Sequence, residues 1–224
     1  MKVMIFGASG MVGQGVLREC LLDPEVESVL SVGRSASGSR DQKLSDLVVP
    51  NVFDLSSVRG QLGGYDACFF CLGTTAVRKS EAEYTRLTYD LTMSVAETLL
   101  PLNPGMTFVY VSGASTDSTE RGRQMWARVK GRTENALMRL GFKGAYMFRP
   151  GIIQPLDGIK PKTPMYRFIY TVLNPLTPVL MWLFPKSITS TRNVGRAMIS
   201  VAKRGYRVPI LEISDIEGAA LKPV

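Results

Sequence analysis

Gly7-Ala8-Ser9-Gly10-Met11-Val12-Gly13 follows directly on the apolar run Val3-Met4-Ile5-Phe6 and opens a helix-like stretch, Val12 to Leu22, which Asp23-Pro24 ends. A strand that stops in glycines and passes straight into a helix predicts a phosphate cradle. Early glycines permit a tight turn and close backbone approach, and the helix N-terminus adds partial positive charge. A later glycine lets the helix lie close to its strand. The spacing is Gly-x-x-Gly-x-x-Gly, not the Gly-x-Gly-x-x-Gly fingerprint, so it is weak alone. At the end of the first strand of a βα chain it carries weight. Gly7, Ser9, Gly10, Met11, Val12 and Gly13 are the expected pyrophosphate contacts.

Outward from this loop, strand-like and helix-like stretches alternate. Val29–Val32 reads as a second strand closed by Gly33-Arg34, Val48–Phe53 as a third, and Ala67–Leu72 as a fourth. Tyr84–Leu100 repeats Leu87, Leu91, Val95 and Leu99 at helical spacing, and Pro101 stops it. Thr107–Val111 and Ala145–Phe148 are two further strands around a helix from Met125 to Leu140. Such alternation predicts an α/β fold with a doubly wound parallel sheet of Rossmann type. After Pro150-Gly151 the composition shifts, with prolines at 155, 161, 164, 175, 178, 185 and 209. The expected division is therefore a dinucleotide-binding core over 1–150 and a small helical and loop lobe over 151–224. That lobe would rest on the sheet's C-terminal edge, where ligands bind in open α/β sheets.

With 224 residues, 45% of them hydrophobic and 21% charged, the chain can bury one large core. It contains no histidine, which excludes Ser-His-Asp and Cys-His nucleophile systems and His-based zinc hydrolysis. Three cysteines suit neither a structural zinc site nor a disulfide scaffold, so no metal and a reducing, cytoplasmic setting are expected. Cys68 and Cys71 form a Cys-x-x-Cys, but on a strand they point to opposite faces and read as core. Glycines at 7, 10, 13 and 15 break any signal-peptide core, so no export signal is expected. Charge is uneven: net −4 over 1–118, then +6 over 119–150 and +6 over 151–224, for +8 in all. A solvated basic face accounts for this as well as an anionic partner does. No basic run is interleaved with stacking aromatics, so nucleic acid is not expected. Met165–Phe184 is apolar, but Arg167, Asn174, Pro175 and Pro178 interrupt it. It predicts short helices that wall an apolar pocket or a dimer contact rather than a membrane span. Flanking Lys160, Lys162 and Lys186 leave peripheral membrane contact as the lesser alternative. Nothing in the sequence sets the oligomeric state.

The end of the second strand chooses the dinucleotide. A carboxylate there would bind the ribose 2′-hydroxyl of NAD. Ser31-Val32-Gly33-Arg34-Ser35 has none, and Arg34 suits the 2′-phosphate of NADP, with Arg40 and Lys43 to assist. NADP is expected over NAD.

Together these features resemble the short-chain dehydrogenase/reductase superfamily in its extended or atypical branch, which includes nucleoside-diphosphate-sugar epimerase-like proteins. The resemblance covers nearly the whole chain and rests on Gly7–Gly13, Val32-Gly33-Arg34, Asp54-Leu55, Cys71-Leu72-Gly73-Thr74-Thr75, Val129-Lys130-Gly131 and Phe148-Arg149-Pro150-Gly151. It implies that Asp54 and Leu55 contact adenine, and that Cys71, Leu72, Gly73 and Thr74 line the ribose and nicotinamide side. Pro150, Gly151 and Ile152 would form the nicotinamide floor. It further implies a catalytic Tyr four residues before a ribose-binding Lys, a spacing that puts both on one helix face. Here Lys130 is present but Trp126 stands where the Tyr should be, and an indole does not ionise usefully. Ser112 and Ser115 are the candidates to polarise a substrate oxygen, and Tyr84, Tyr89 and Tyr146 are candidate displaced acids. Two readings follow: an oxidoreductase acting on a small apolar carbonyl or alcohol, or a non-catalytic NADP(H) sensor acting through a protein partner. A nucleotide-sugar epimerase is weaker, because 74 residues make a small substrate lobe and epimerases need the same tyrosine.

Overall fold

A computed structural model of the chain describes residues 1–159 and 188–221. Seven parallel strands form one sheet. In chain order they are β1 (Lys2–Phe6), β2 (Ser28–Gly33), β3 (Leu44–Val48), β4 (Ala67–Phe70), β5 (Thr107–Val111), β6 (Gly144–Phe148) and, after a small separate β7–β8 pair, β9 (Ile210–Leu211). The spatial order is β3-β2-β1-β4-β5-β6-β9, so the order in which strands are added reverses between β1 and β4. Strands β7 (Ile152–Gln154) and β8 (Ile188–Ser190) pair in parallel beside it.

The central strands bury both faces, which is why they read as unbroken apolar runs. On one face Met4, Phe6, Leu30, Cys68, Phe70 and Phe108 pack against helix α3 (Leu91–Leu99) and α4 (Met125–Arg139). The Phe70 ring stacks between Phe6 at 5.7 Å and Phe108 at 5.9 Å. On the other face Val3, Ile5, Val29, Phe69 and Val109 meet helix α1 (Met11–Leu22), α5 (Thr191–Arg204) and α6 (Ile213–Leu221). Cys68 belongs to the first face and Cys71 packs against the second, and all three cysteines are free.

Two sequence expectations are corrected. The third strand is Leu44–Val48, upstream of the predicted Val48–Phe53. As an edge strand it is half solvated and carries Ser45 and Asp46 outward, so it lacks an apolar run. Val49 and Val52 instead plug the core from a turn. The helix expected over Tyr84–Leu100 begins earlier, as α2 (Glu81–Thr85) capped by Ser80, and passes through a π-turn at Arg86–Asp90 into α3. Beyond residue 150, the described segments supply the seventh strand and two helices of one layer. Helix α5 is capped by Ser190, whose Oγ accepts Asn193 N–H at 3.0 Å. It is tied to α1 through buried Glu19, which takes Arg196 at 3.0 Å. The apolar stretch Met165–Phe184 lies outside the described residues. Among those described, no helix is long and apolar enough to cross a membrane, and no cluster of ligands could hold a metal.

Candidate functional site

The glycine loop joins β1 to α1 where the strand order reverses, the crevice in which doubly wound sheets bind ligands. Gly7 sits at φ +86°, and a Cβ there would lie 2.9 Å from Leu72 N. A Cβ on Gly13 would lie 2.1 Å from the Gly7 carbonyl oxygen. The loop is thus drawn tight against the start of α1, and Gly10 N–H closes the turn onto Gly7 O at 2.9 Å. No side chain caps α1 and its first turn holds no acid, so its leading N–H groups point into the crevice unscreened. Ser9, Met11 and Val12 are half-exposed around it. This cradle fits a pyrophosphate.

The other expected dinucleotide contacts distribute along the same edge. Arg34 is exposed just past β2. Lys43, expected to help it, is committed elsewhere: its amine donates to Leu21 O at 3.2 Å and Asp23 O at 2.7 Å, capping the end of α1. Asp54 is exposed, and Ser56 hydrogen bonds hold its carboxyl below the usual range. Leu55 is 2% exposed within the core, so its side chain offers nothing to adenine. Cys71, Leu72 and Thr74 are half-buried after β4, while Gly73 is exposed, and burial pushes the Cys71 thiol up to about 12.

Past β5 and β6 the chain builds a second cluster. Lys130, on α4, donates to the Ser112 carbonyl. Desolvation lowers its pKa to about 8, against an opposing pull from Glu134 one turn on. Ser112 is buried, and its hydroxyl donates to Glu134 Oε1 at 2.5 Å and contacts Phe148 O at 3.1 Å. Glu134 is wholly buried and is also gripped by Arg149, at 3.1 Å through Nε and 2.5 Å through the terminal nitrogen. Arg149 continues to Glu212 at 3.2 Å and Ser118 Oγ at 2.5 Å. The sequence reading missed Glu134, although a carboxylate four residues past Lys130 and facing the Phe-Arg-Pro-Gly arginine is a legible signal.

The two serines therefore separate. Ser112 spends its proton on a buried carboxylate, whereas Ser115 is exposed, at φ +66°. Ser115 lines a cavity of about 500 Å³ with Ala114, Gly151, Ile152, Glu212, Ile213 and Ser214. Pro150 is buried below, and its carbonyl accepts Ala114 N–H at 2.9 Å. The displaced-tyrosine expectation fails for all three candidates. Tyr84 is 2% exposed in the core, and Tyr89 lies under the Arg132 guanidinium at 4.2 Å. Tyr146 OH accepts Tyr206 N–H beside a hollow of about 750 Å³ that precedes β9, at the sheet's other end. That larger hollow is remote from the glycine loop, so the smaller cavity is the relevant one.

No family model matches the chain. It is similar to the protein fmp52, mitochondrial, of Emericella nidulans, 28% identical over 159 residues, which is 68% of this chain and 66% of that one. It is also similar to the protein HTATIP2 of Rattus norvegicus, 27% identical over 154 residues, 68% of this chain and 62% of the other. In both cases the match spans just under two thirds of the relative's length. Among solved structures it shares its fold with a short-chain dehydrogenase/reductase from Saccharomyces cerevisiae, at TM-score 0.65 and 15% identity over 96% of each chain. The Bordetella bronchiseptica enzyme WbmF in complex with NAD+ superposes at TM-score 0.64 and 16% identity, covering 98% of this chain and 76% of that one. The cytoplasmic expectation is corrected by these relatives, since the fmp52 proteins are named as mitochondrial. Sparse free thiols report a reducing environment and not an address. In fold the chain is thus similar to short-chain dehydrogenase/reductase structures, and in sequence to the fmp52 and HTATIP2 proteins.

Proposed function

We propose that the chain binds NADP(H) along the C-terminal edge of its sheet and passes hydride between it and a carbonyl or alcohol carbon of a small, largely apolar molecule. The carrying observation is convergence: the Gly7–Gly13 cradle, Lys130 and the 500 Å³ cavity share one sheet edge. The bound nicotinamide would supply the hydride. Within this reading Gly7–Gly13 hold the pyrophosphate, Lys130 the nicotinamide ribose, and Pro150, Gly151 and Ile152 the ring's floor. Ser115 polarises the substrate oxygen while Ala114, Ile152 and Ile213 supply the apolar wall.

Arg34 carries the choice of NADP. Arg34→Ala is expected to weaken NADP about tenfold or more, since a charge-assisted hydrogen bond is worth roughly 1.5–3 kcal/mol. NAD should shift less than about twofold, because it offers no 2′-phosphate to pair. Titrating both dinucleotides decides it, and equal losses would remove the 2′-phosphate role.

A second reading, a silent NADP(H) sensor that signals to a protein partner, is favoured by one specific pair of facts. Trp126 stands where the resemblance would put an ionisable tyrosine, and the Ser112 hydroxyl is spent on Glu134. Single-turnover oxidation of bound NADPH, run on wild type and Trp126→Tyr against apolar aldehydes and ketones, separates the two. Turnover by wild type supports the reductase. Silence in wild type with activity gained in Trp126→Tyr supports the sensor.

A further inference from the structure

We infer that Lys130 is the proton donor of this site, giving an Nζ proton to the substrate oxygen in the place of the absent tyrosine. The inference rests on the reductase reading above. Trp126 lies one helical turn before Lys130, and its indole N–H does not ionise usefully. Ser112 donates to Glu134, and Glu134 itself is an acceptor held by Arg149. Ser115 is a neutral hydroxyl, a poor acid unless assisted. Lys130 carries a transferable proton and reaches that edge, its amine lying on the Ser112 carbonyl just past β5.

The geometry around its amine supports this use. One Nζ proton is anchored on the Ser112 carbonyl, and no carboxylate pairs with Lys130 among the described residues. Gly113 bears no side chain; a Cβ there would stand 3.9 Å from Nζ and 3.9 Å from Pro150 O. The amine therefore faces the strip Gly113–Ala114 that leads into the cavity floor. The ionisable groups on the surrounding elements are Glu134 on α4, Arg149 after β6 with Glu212 beyond it, and Tyr110 on β5 with Tyr84 on α2. Tyr84 and Tyr110 are both kept protonated by burial. Desolvation thus leaves an ammonium that titrates near 8, matched to proton transfer close to neutral pH.

The step balances. As the carbonyl carbon receives hydride from the reduced dinucleotide, the C=O π pair moves to oxygen and an N–H bond of Lys130 breaks as the O–H bond forms. The neutral amine then recovers its proton from water. The dinucleotide is oxidised and the carbonyl reduced, with no other reagent.

The test is the pH dependence of single-turnover NADPH oxidation with 4-nitrobenzaldehyde and related aromatic aldehydes, with NADPH affinity measured separately by fluorescence. The acid form is required, so the rate should be level below about pH 8 and fall tenfold per pH unit above it. Lys130→Arg keeps a cation at the ribose but cannot donate at neutral pH. It should cost about 100-fold or more in rate, the scale of general acid catalysis, with NADPH affinity changed less than about threefold. In a Trp126→Tyr background a phenol takes over, and Lys130→Arg should cost under about tenfold. A Lys130→Arg rate within tenfold of wild type overturns the inference and leaves the reductase reading standing. Wild type that binds NADPH and never oxidises it overturns the reductase reading and this inference together.

Discussion

Glu134→Ala is expected to lower the free energy of unfolding by about 3 kcal/mol, the lower end of the cost of breaking a buried ion pair. Glu134 has no solvent exposure and holds three donors, from Ser112 and twice from Arg149. Removing it takes two hydrogen bonds from Arg149, a residue that is 8% exposed. The loss stays at the lower end because Arg149 keeps Glu212 and Ser118. For a domain of this size the change corresponds to roughly 6–12 °C in Tm, read by urea or thermal denaturation. Glu134→Leu with Arg149→Met should recover much of it, because two buried charges replaced by apolar groups of similar volume are often neutral. A single variant as stable as wild type would mean that the network is ornamental to folding.

The same network shows how far the sequence could be read. The sheet was legible, since β1, β2, β4 and β5 are buried on both faces and announce themselves as apolar runs. Strand β3 was not, because an edge strand is written in mixed residues and its neighbours Val49 and Val52 imitate it. The glycine cradle was legible because only glycine fits it, and Lys130 because of its place on α4. The roles of Ser112 and Ser115 were not separable, because the partner that disables Ser112 lies 22 residues along the chain. Lys43 was misread for the same reason: a cation near a phosphate site looks functional until its amine is found on the last carbonyls of α1. Local pattern reports which residues are special, and only the fold reports whom they are paired with.

Gly13→Val should abolish dinucleotide binding, by about 100-fold or more, while costing the apo protein on the order of 1–3 kcal/mol, the usual penalty of overpacking. Even a bare Cβ at this position would lie 2.1 Å from Gly7 O, 2.7 Å from Gly7 C and 2.9 Å from Ala8 Cα, all backbone atoms. Something must move by close to an ångström, and two things can: the helix or the loop. Helix α1 is held from behind, since Glu19 is buried against Arg196 of α5 and Lys43 and Lys203 fasten its end at Asp23. The loop is held locally, by Gly10 N–H on Gly7 O and by the Gln14 side-chain amide on Ser9 O, without the long-range ion pairs that fasten α1. The strain therefore opens the loop, and the leading N–H groups of α1 lose the geometry that a pyrophosphate requires. Binding should fall far more than stability does. Dinucleotide titration beside denaturation of the apo protein tests this, with Ser9→Ala as a variant that adds no atom to the contact. A Gly13→Val protein that binds NADPH normally would show that the pyrophosphate sits elsewhere. If binding and stability were lost in equal measure, α1 would be the part that yields.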